Sequence, residues 1–161
     1  MQPAQPEQQH QWLHKLVGEW TYESECPGGP GEPTQKLTGS ERVRSLGGLW
    51  VICDGQGEMP GGGLANMIMT LGYDPQKKRF VGTWIGSMMT SLWIYDGELD
   101  AAKRVLTLNS EGPDCSNPGK TAKYQDIIEF INDDYRTLTS RSPGPDGKWN
   151  EFMKAHYRRK S

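Results

Sequence analysis

Residues Arg79–Leu99 read RFVGTWIGSMMTSLWIYDGEL. At the two-residue period of a strand, Phe80, Gly82, Trp84 and Gly86 share one face, and Val81, Thr83 and Ile85 the other. Beyond a short turn expected near Gly86-Ser87, Leu92 and Ile94 alternate in the same way with Trp93 and Tyr95. Aromatic and β-branched residues on both faces suit a pleated, well-packed sheet. The small residues Gly82, Gly86 and Ser87 among them point to tight curvature or close backbone approach, as in a barrel wall. The stretch is read as a hairpin that is apolar on both faces, so one face should meet something other than water. Two occupants are open for it: a second copy of the chain, as a homodimer contact, or the N-terminal helix lying across it.

The same alternation continues to either side. Strands are expected near 17–25, 34–46, 49–58, 64–73, 79–86, 90–99, 104–111, 121–132, 135–141 and 149–158. Turn compositions separate them: CPGGPGEP, LGG, MPGGG, YDPQKK, DGELDAAK, GPDCSNPGK, NDD and SPGPDGK. About ten short strands with brief connections predict an antiparallel meander. Closure into an up-and-down β-barrel removes the free edges that so long an open sheet would present. Ahead of the strands, Trp12, Leu13 and Leu16 recur at helical spacing. They predict a short amphipathic helix near one end of the barrel, after a polar, frayed tail over 1–9. His10 and His14, four apart, are expected to be exposed on one face of that helix. With 161 residues and no internal repeat, the chain is read as one domain over 1–161.

Charged residues tell which face is wet. Lys123 and Glu129 turn Tyr124, Asp126, Ile128 and Phe130 inward, and Lys154 and Arg158 do the same for Met153, Ala155 and Tyr157. Similar logic turns Met67, Met69 and Leu71 inward, with Leu106 and Leu108.

Composition narrows the partners. Eighteen basic against twenty acidic residues, net charge −2, give no electrostatic reason to bind nucleic acid or an anionic membrane. No segment approaches the ~20 apolar residues of a membrane span. The start MQPAQPEQQHQ lacks the basic and apolar regions of a signal peptide. Cys26, Cys53 and Cys115 are odd in number, widely spaced and without a CxxC, so three reduced thiols in a cytoplasmic protein, with no metal site, are expected. Three chemical motifs nearly form and fail. DCSNPGKT has Asp114 where a phosphate loop needs its first Gly, and it leads into a strand rather than a helix. GQGEMP breaks a dinucleotide fingerprint at Pro60. IGSMM lacks the closing Gly of a nucleophile elbow.

Gly18-Glu19-Trp20 holds up better. A Gly-x-Trp at the start of the first strand, just after a short helix, resembles the opening of lipocalin-like (calycin) barrels. The resemblance implies that Trp20 packs under the closed end and that a basic residue near the last strand, Arg158 or Arg159, stacks on it, a contact worth ~1 kcal/mol. The wider pattern runs through HKLVGEW, GGLWV, GYDPQKKRFVGTWIGSMM, YDGELD, LTLNSEGP, YQDIIEFINDD and HYRRK, in that order. It closely resembles an uncharacterised bacterial family, the domain-of-unknown-function family fifteen-seventy-nine. That resemblance implies a lipocalin-like barrel and supplies no activity.

Function must then be argued from the barrel, whose mouth is a recurrent place for small ligands. Met67, Met69, Trp84 and Met153 are the apolar candidates for a cavity wall, since flexible thioethers suit irregular ligands. Tyr124, Asp126 and Asp54 are the candidates to orient a polar end. The expected partner is a small apolar or amphipathic molecule, although the same residues would equally make a filled core. Asp126 with Asp54 is the one pair offered for acid–base chemistry; no catalytic residue is assigned. His156 on the last strand invites comparison with haem barrels of the nitrobindin type, which hold the iron through a His on the final strand. The register disagrees: that His would stand several residues before Tyr157-Arg158-Arg159, where this chain has Phe152, Met153 and Lys154. Parity also turns His156 outward, and no cofactor is expected.

Overall fold

In the computed structural model, which describes residues 1–27 and 31–160, ten strands follow one short helix. The helix α1 is Gln8–His14, followed by β1 (Gly18–Cys26), β2 (Gln35–Leu46), β3 (Trp50–Glu58), β4 (Leu64–Asp74) and β5 (Arg79–Gly86). Then come β6 (Trp93–Leu99), β7 (Val105–Pro113), β8 (Thr121–Asn132), β9 (Tyr135–Pro143) and β10 (Trp149–Arg159). Each strand pairs antiparallel with its neighbour in sequence, and β10 returns to β1 with Tyr157 opposite Tyr22. The result is a closed up-and-down barrel. Residues 28–30 of the CPGGPGEP turn, and Ser161, lie outside the described residues.

Alternation dictates the two faces of the wall. Trp20, Val43, Val51, Cys53, Met69, Leu71, Phe80, Tyr95, Leu106, Leu108, Ile128, Phe130, Ala155 and Tyr157 point inward and are buried. The central hairpin turns Phe80, Gly82 and Trp84 inward, while Ile85 and Ile94 stay 46% and 65% exposed outside. Trp93 shares the inward parity of Tyr95, and its ring rests on Gly112 and Tyr124 within the barrel. The connection between β5 and β6 is longer than the expected turn, because β6 begins only at Trp93. Ser87 ties this segment back to β4, its amide donating to Asn66 O at 2.8 Å and its hydroxyl accepting from the Asn66 amide at 2.9 Å. Met89 Sδ accepts from Trp93 Nε1.

The helix seals one end of the barrel rather than covering the hairpin. Trp12, Leu13 and Leu16 are buried there, with the Trp12 ring edge-on to Phe80 and Phe130. Trp12 Nε1 donates to Lys103 O at 2.7 Å, which fixes the helix to the β6–β7 turn. His10 is not the exposed residue expected: it is 5% exposed, edge-on to Tyr73. Both its ring nitrogens are satisfied, Nδ1 accepting from the Glu7 amide and Nε2 donating to Tyr73 O, which removes the cost of burying them. His14 is exposed.

Under the closed end, Trp20 is 1% exposed and its Nε1 donates to Leu16 O at 2.8 Å. Arg159 lies over its ring at 4.2 Å and donates to Val17 O and Lys15 O. Gly18 has φ +138°, and a Cβ there would stand 2.5 Å from Arg159 Nη1, so the Gly of Gly18-Glu19-Trp20 makes room for the arginine that covers the Trp. Arg158 does not join the stack; it lies over Tyr135.

Candidate functional site

At the end opposite the helix the barrel is not filled. A cavity of 270 Å³ opens there, walled by β1–β5, β9 and β10 together with Met59 and Pro60 of the β3–β4 turn and Met88 of the β5–β6 segment. Met67, Met69, Trp84 and Met153 are all on its wall, as their parity predicts. These four, with Met59 and Met88, bring thioethers and an indole to the surface a guest would touch, and thioethers repack around irregular shapes.

The bottom of the cavity is different in kind. The deepest wall residues on their strands are Tyr22, Glu41, Cys53, Met69 and Tyr157. Glu41 accepts a hydrogen bond from Arg136 Nη2 at 2.5 Å, an ion pair with side chains 14% and 3% exposed. Arg136 lies beneath this floor, its guanidinium 4.5 Å from the Trp20 ring and 4.1 Å from the Tyr157 ring. Its Nε is buried without a hydrogen-bond partner among the described residues. The Tyr157 ring is 4.9 Å from that of Tyr22. Arg159, Trp20, Arg136, Tyr157 and Tyr22 therefore form one unbroken run of ring and guanidinium contacts from the closed end to the cavity.

Two glycines hold Tyr22 in place. A Cβ at Gly57 would fall 1.8 Å from the Tyr22 hydroxyl, and one at Gly39 2.3 Å from its ring, so the phenol lies flat on bare backbone of β2 and β3. Burial raises the Tyr22 and Tyr157 phenols and the Cys53 thiol above their usual pKa, and the Glu41 charge raises them further; at Tyr157 and Cys53, Arg136 opposes this. All three groups are protonated donors at neutral pH.

β6, β7 and β8 contribute no residue to the cavity wall. Asp126 faces inward, but it is enclosed rather than presented to the cavity. Its carboxylate accepts from Ser140 Oγ at 2.6 Å and from Tyr95 through a very short contact. Burial pushes the Asp126 pKa up, and these two hydrogen bonds pull against that rise. Tyr124 is not on the cavity wall either: it packs edge-on against Trp93 and Phe152 and donates to Pro113 O at 2.6 Å. It borders a separate cleft at the rim, between the β7–β8 and β9–β10 turns. Asp54 is a correction of position. It pairs with Ile68 on the outer surface and is exposed, because Cys53 and Gly55 take the inward parity of β3. Asp54 and Asp126 are thus on opposite sides of the wall and form no pair.

No histidine lines the cavity among the described residues, so its wall offers no imidazole to a haem iron. His156 faces outward, its Nδ1 2.7 Å from the Tyr135 hydroxyl. No group of three or more His, Cys, Asp or Glu among the described residues is arranged to hold a metal ion. No helix among them is long and apolar enough to cross a membrane.

Sequence reasoning missed the floor. Glu41 shares the parity of Leu37 and Val43, and Arg136 that of Leu138 and Ser140, so a charged residue on an otherwise inward-facing row was the available signal.

A family described as "Protein of unknown function (DUF1579)" matches residues 5–159. No curated protein matches the chain. Among solved structures, the chain is similar to Rv2717c from M. tuberculosis, with 10% identity, 98% of this chain and 100% of that one covered, and a TM-score of 0.61. It is also similar to EF1p2_mFAP2b, solved bound to DFHBI, with 12% identity, 94% and 98% coverage and a TM-score of 0.50. At such identities the likeness is one of fold.

Proposed function

Taking as premise that the chain belongs to the DUF1579 family of proteins of unknown function, we propose that it is a binding protein that takes a small apolar or amphipathic molecule into the open end of its barrel. The observation that carries this reading is the 270 Å³ cavity itself. A core built only for stability would close such a space, since each unfilled volume costs stability. Its size is at the small end of ligand sites, which run from about 300 Å³ upward, so the guest is compact. The thioethers of Met67, Met69, Met88 and Met153 and the indole of Trp84 supply the apolar contact. The three unpaired cysteines support residence in the reducing cytoplasm.

Native mass spectrometry with an ultraviolet–visible scan of freshly purified protein tests the reading, followed by calorimetric titration with naphthalene. A stoichiometric extra mass, or saturable naphthalene binding that Met67→Trp abolishes by filling the space, is the expected result. An apo mass together with no naphthalene binding would overturn it. A Soret band would replace it with a haem protein.

A second reading, association as a homodimer, is favoured by one observation. Ile68, Ile85 and Ile94 are 38%, 46% and 65% exposed on the outer wall, and Ile68 stands directly opposite Ile85 in register. Exposed apolar surface of this kind marks contact sites. Sedimentation of the wild type and of Ile94→Arg checks it: a dimer that the substitution dissociates is expected, and a wild-type monomer at high concentration sinks it.

A further inference from the structure

The cavity floor carries a specific recognition pattern, and the inference drawn from it rests on the proposal above that the cavity binds a ligand. We propose that the floor selects planar, uncharged molecules bearing a hydrogen-bond donor and an acceptor side by side on one edge, as in a lactam or primary amide, and that Glu41 and Tyr157 read that edge.

Three observations lead there. First, the floor brings three polar side chains together: Glu41, Tyr22 and Tyr157 lie at the bottom, whereas the wall above them, Ser24 and Glu58 apart, presents apolar groups such as Met67, Trp84 and Met153. Second, its hydrogen-bonding capacity is left open. Glu41 receives one bond, from Arg136, whereas a carboxylate has about four acceptor sites. The hydroxyls of Tyr22 and Tyr157 are on the cavity wall and donate to no group among the described residues; the orphaned Arg136 Nε lies beneath the floor, off that wall, and is not offered to a guest. Hydroxyl donors and carboxylate positions left open on a cavity surface point to a partner that completes them. Third, the charges on the floor already cancel. Arg136 and Glu41 neutralise one another, so an anionic or cationic head would give up hydration at the floor without meeting an unpaired opposite charge there.

A neutral donor–acceptor edge meets all three conditions. Its N–H donates to the free positions of the Glu41 carboxylate, and its carbonyl accepts from the Tyr157 hydroxyl. Both phenols are protonated at neutral pH, as burial requires. The flat ring behind that edge then lies among the thioethers and Trp84, where sulfur–aromatic contacts are favourable.

Calorimetric titration of the full chain with three probes of one shape tests this: isoquinolin-1-one, naphthalene and 1-naphthoate. The expected order in wild type is isoquinolin-1-one tightest by about tenfold over naphthalene, one hydrogen-bonded pair's worth, with 1-naphthoate weakest. In Tyr157→Phe the preference for isoquinolin-1-one over naphthalene falls toward unity, and 2-methylisoquinolin-1-one, which lacks the N–H, loses most of it in wild type. Equal binding of isoquinolin-1-one and naphthalene, or tighter binding of 1-naphthoate, overturns the recognition pattern while leaving the cavity as a binding site. Binding of none of the three overturns both. Should Tyr157→Phe fail to fold, the comparison of isoquinolin-1-one with its N-methyl form in wild type decides the matter alone.

Discussion

Arg136 and Glu41 are drawn out of water together, with side chains 3% and 14% exposed, and the arginine is wedged between the Trp20 and Tyr157 rings. Removing one partner of such a pair strands the other, so Arg136→Ala is expected to cost about 3–5 kcal/mol in urea denaturation. Replacing both, as Arg136→Met with Glu41→Leu, should recover most of that loss, because an apolar pair of similar volume needs no solvation. Asp126 makes a prediction in pH. Its folded pKa is raised, chiefly by burial, so the native state holds this proton more tightly than the unfolded chain does. Its contribution is therefore fully present below the ordinary carboxylate pKa and is lost as pH rises through the raised value. Between pH 4 and pH 7, calorimetry should show the Tm of wild type falling relative to that of Asp126→Asn. At this scale the sequence was half legible. Parity turned Met67, Met69, Trp84 and Met153 inward, and there they line the cavity; the Gly18-Glu19-Trp20 resemblance implied Arg158 or Arg159 over Trp20, and Arg159 takes that place. Asp54 was misplaced because acidic residues next to a wall look alike from either side until the phase of β3 is set by Val51 and Cys53. Arg136 stayed hidden because a charged residue is ordinarily read as a wet one, and only its partners across the barrel reverse that.

The strands were more legible than any single site residue, since two-residue alternation repeats over many positions and errors average out. All ten strands lie where the pattern puts them, with small differences at their ends. The largest difference is the start of β6 at Trp93, and its cause is long-range: Ser87 is held by Asn66 of β4, and Met88 reaches the cavity mouth, neither of which is a local property of SMMTSL. Within β5, Gly82 permits the closest packing of the hairpin against its neighbour. A Cβ there would stand 2.1 Å from the Thr70 carbonyl oxygen, which is backbone and cannot turn aside. Gly82→Ala is accordingly expected to destabilise by about 1–3 kcal/mol, read as a lowered urea midpoint at unchanged slope.

Closure and sealing belong to the molecule as a whole. The ladder from β10 to β1 completes the ring, and α1 caps one end through Trp12, whose ring meets Phe80 and Phe130 from opposite parts of the chain. Trp12→Ala should cost about 3–5 kcal/mol, read in urea denaturation, because the hole it leaves is lined by strands that cannot collapse inward. That a helix would sit at one end of the barrel was readable from Trp12, Leu13 and Leu16; that it caps the barrel rather than crossing the hairpin was not, since nothing in those residues names their counterpart. The run of contacts from Tyr22 and Tyr157 through Arg136 to Trp20 has a practical side as well. On the proposed function, a guest on the cavity floor would press on a guanidinium whose far neighbour is an indole held away from solvent. The expected consequence is a built-in optical gauge: in a Trp84→Phe variant, which removes the indole that a guest would touch directly, filling one end of the barrel should still alter the colour and lifetime of light emitted near the other.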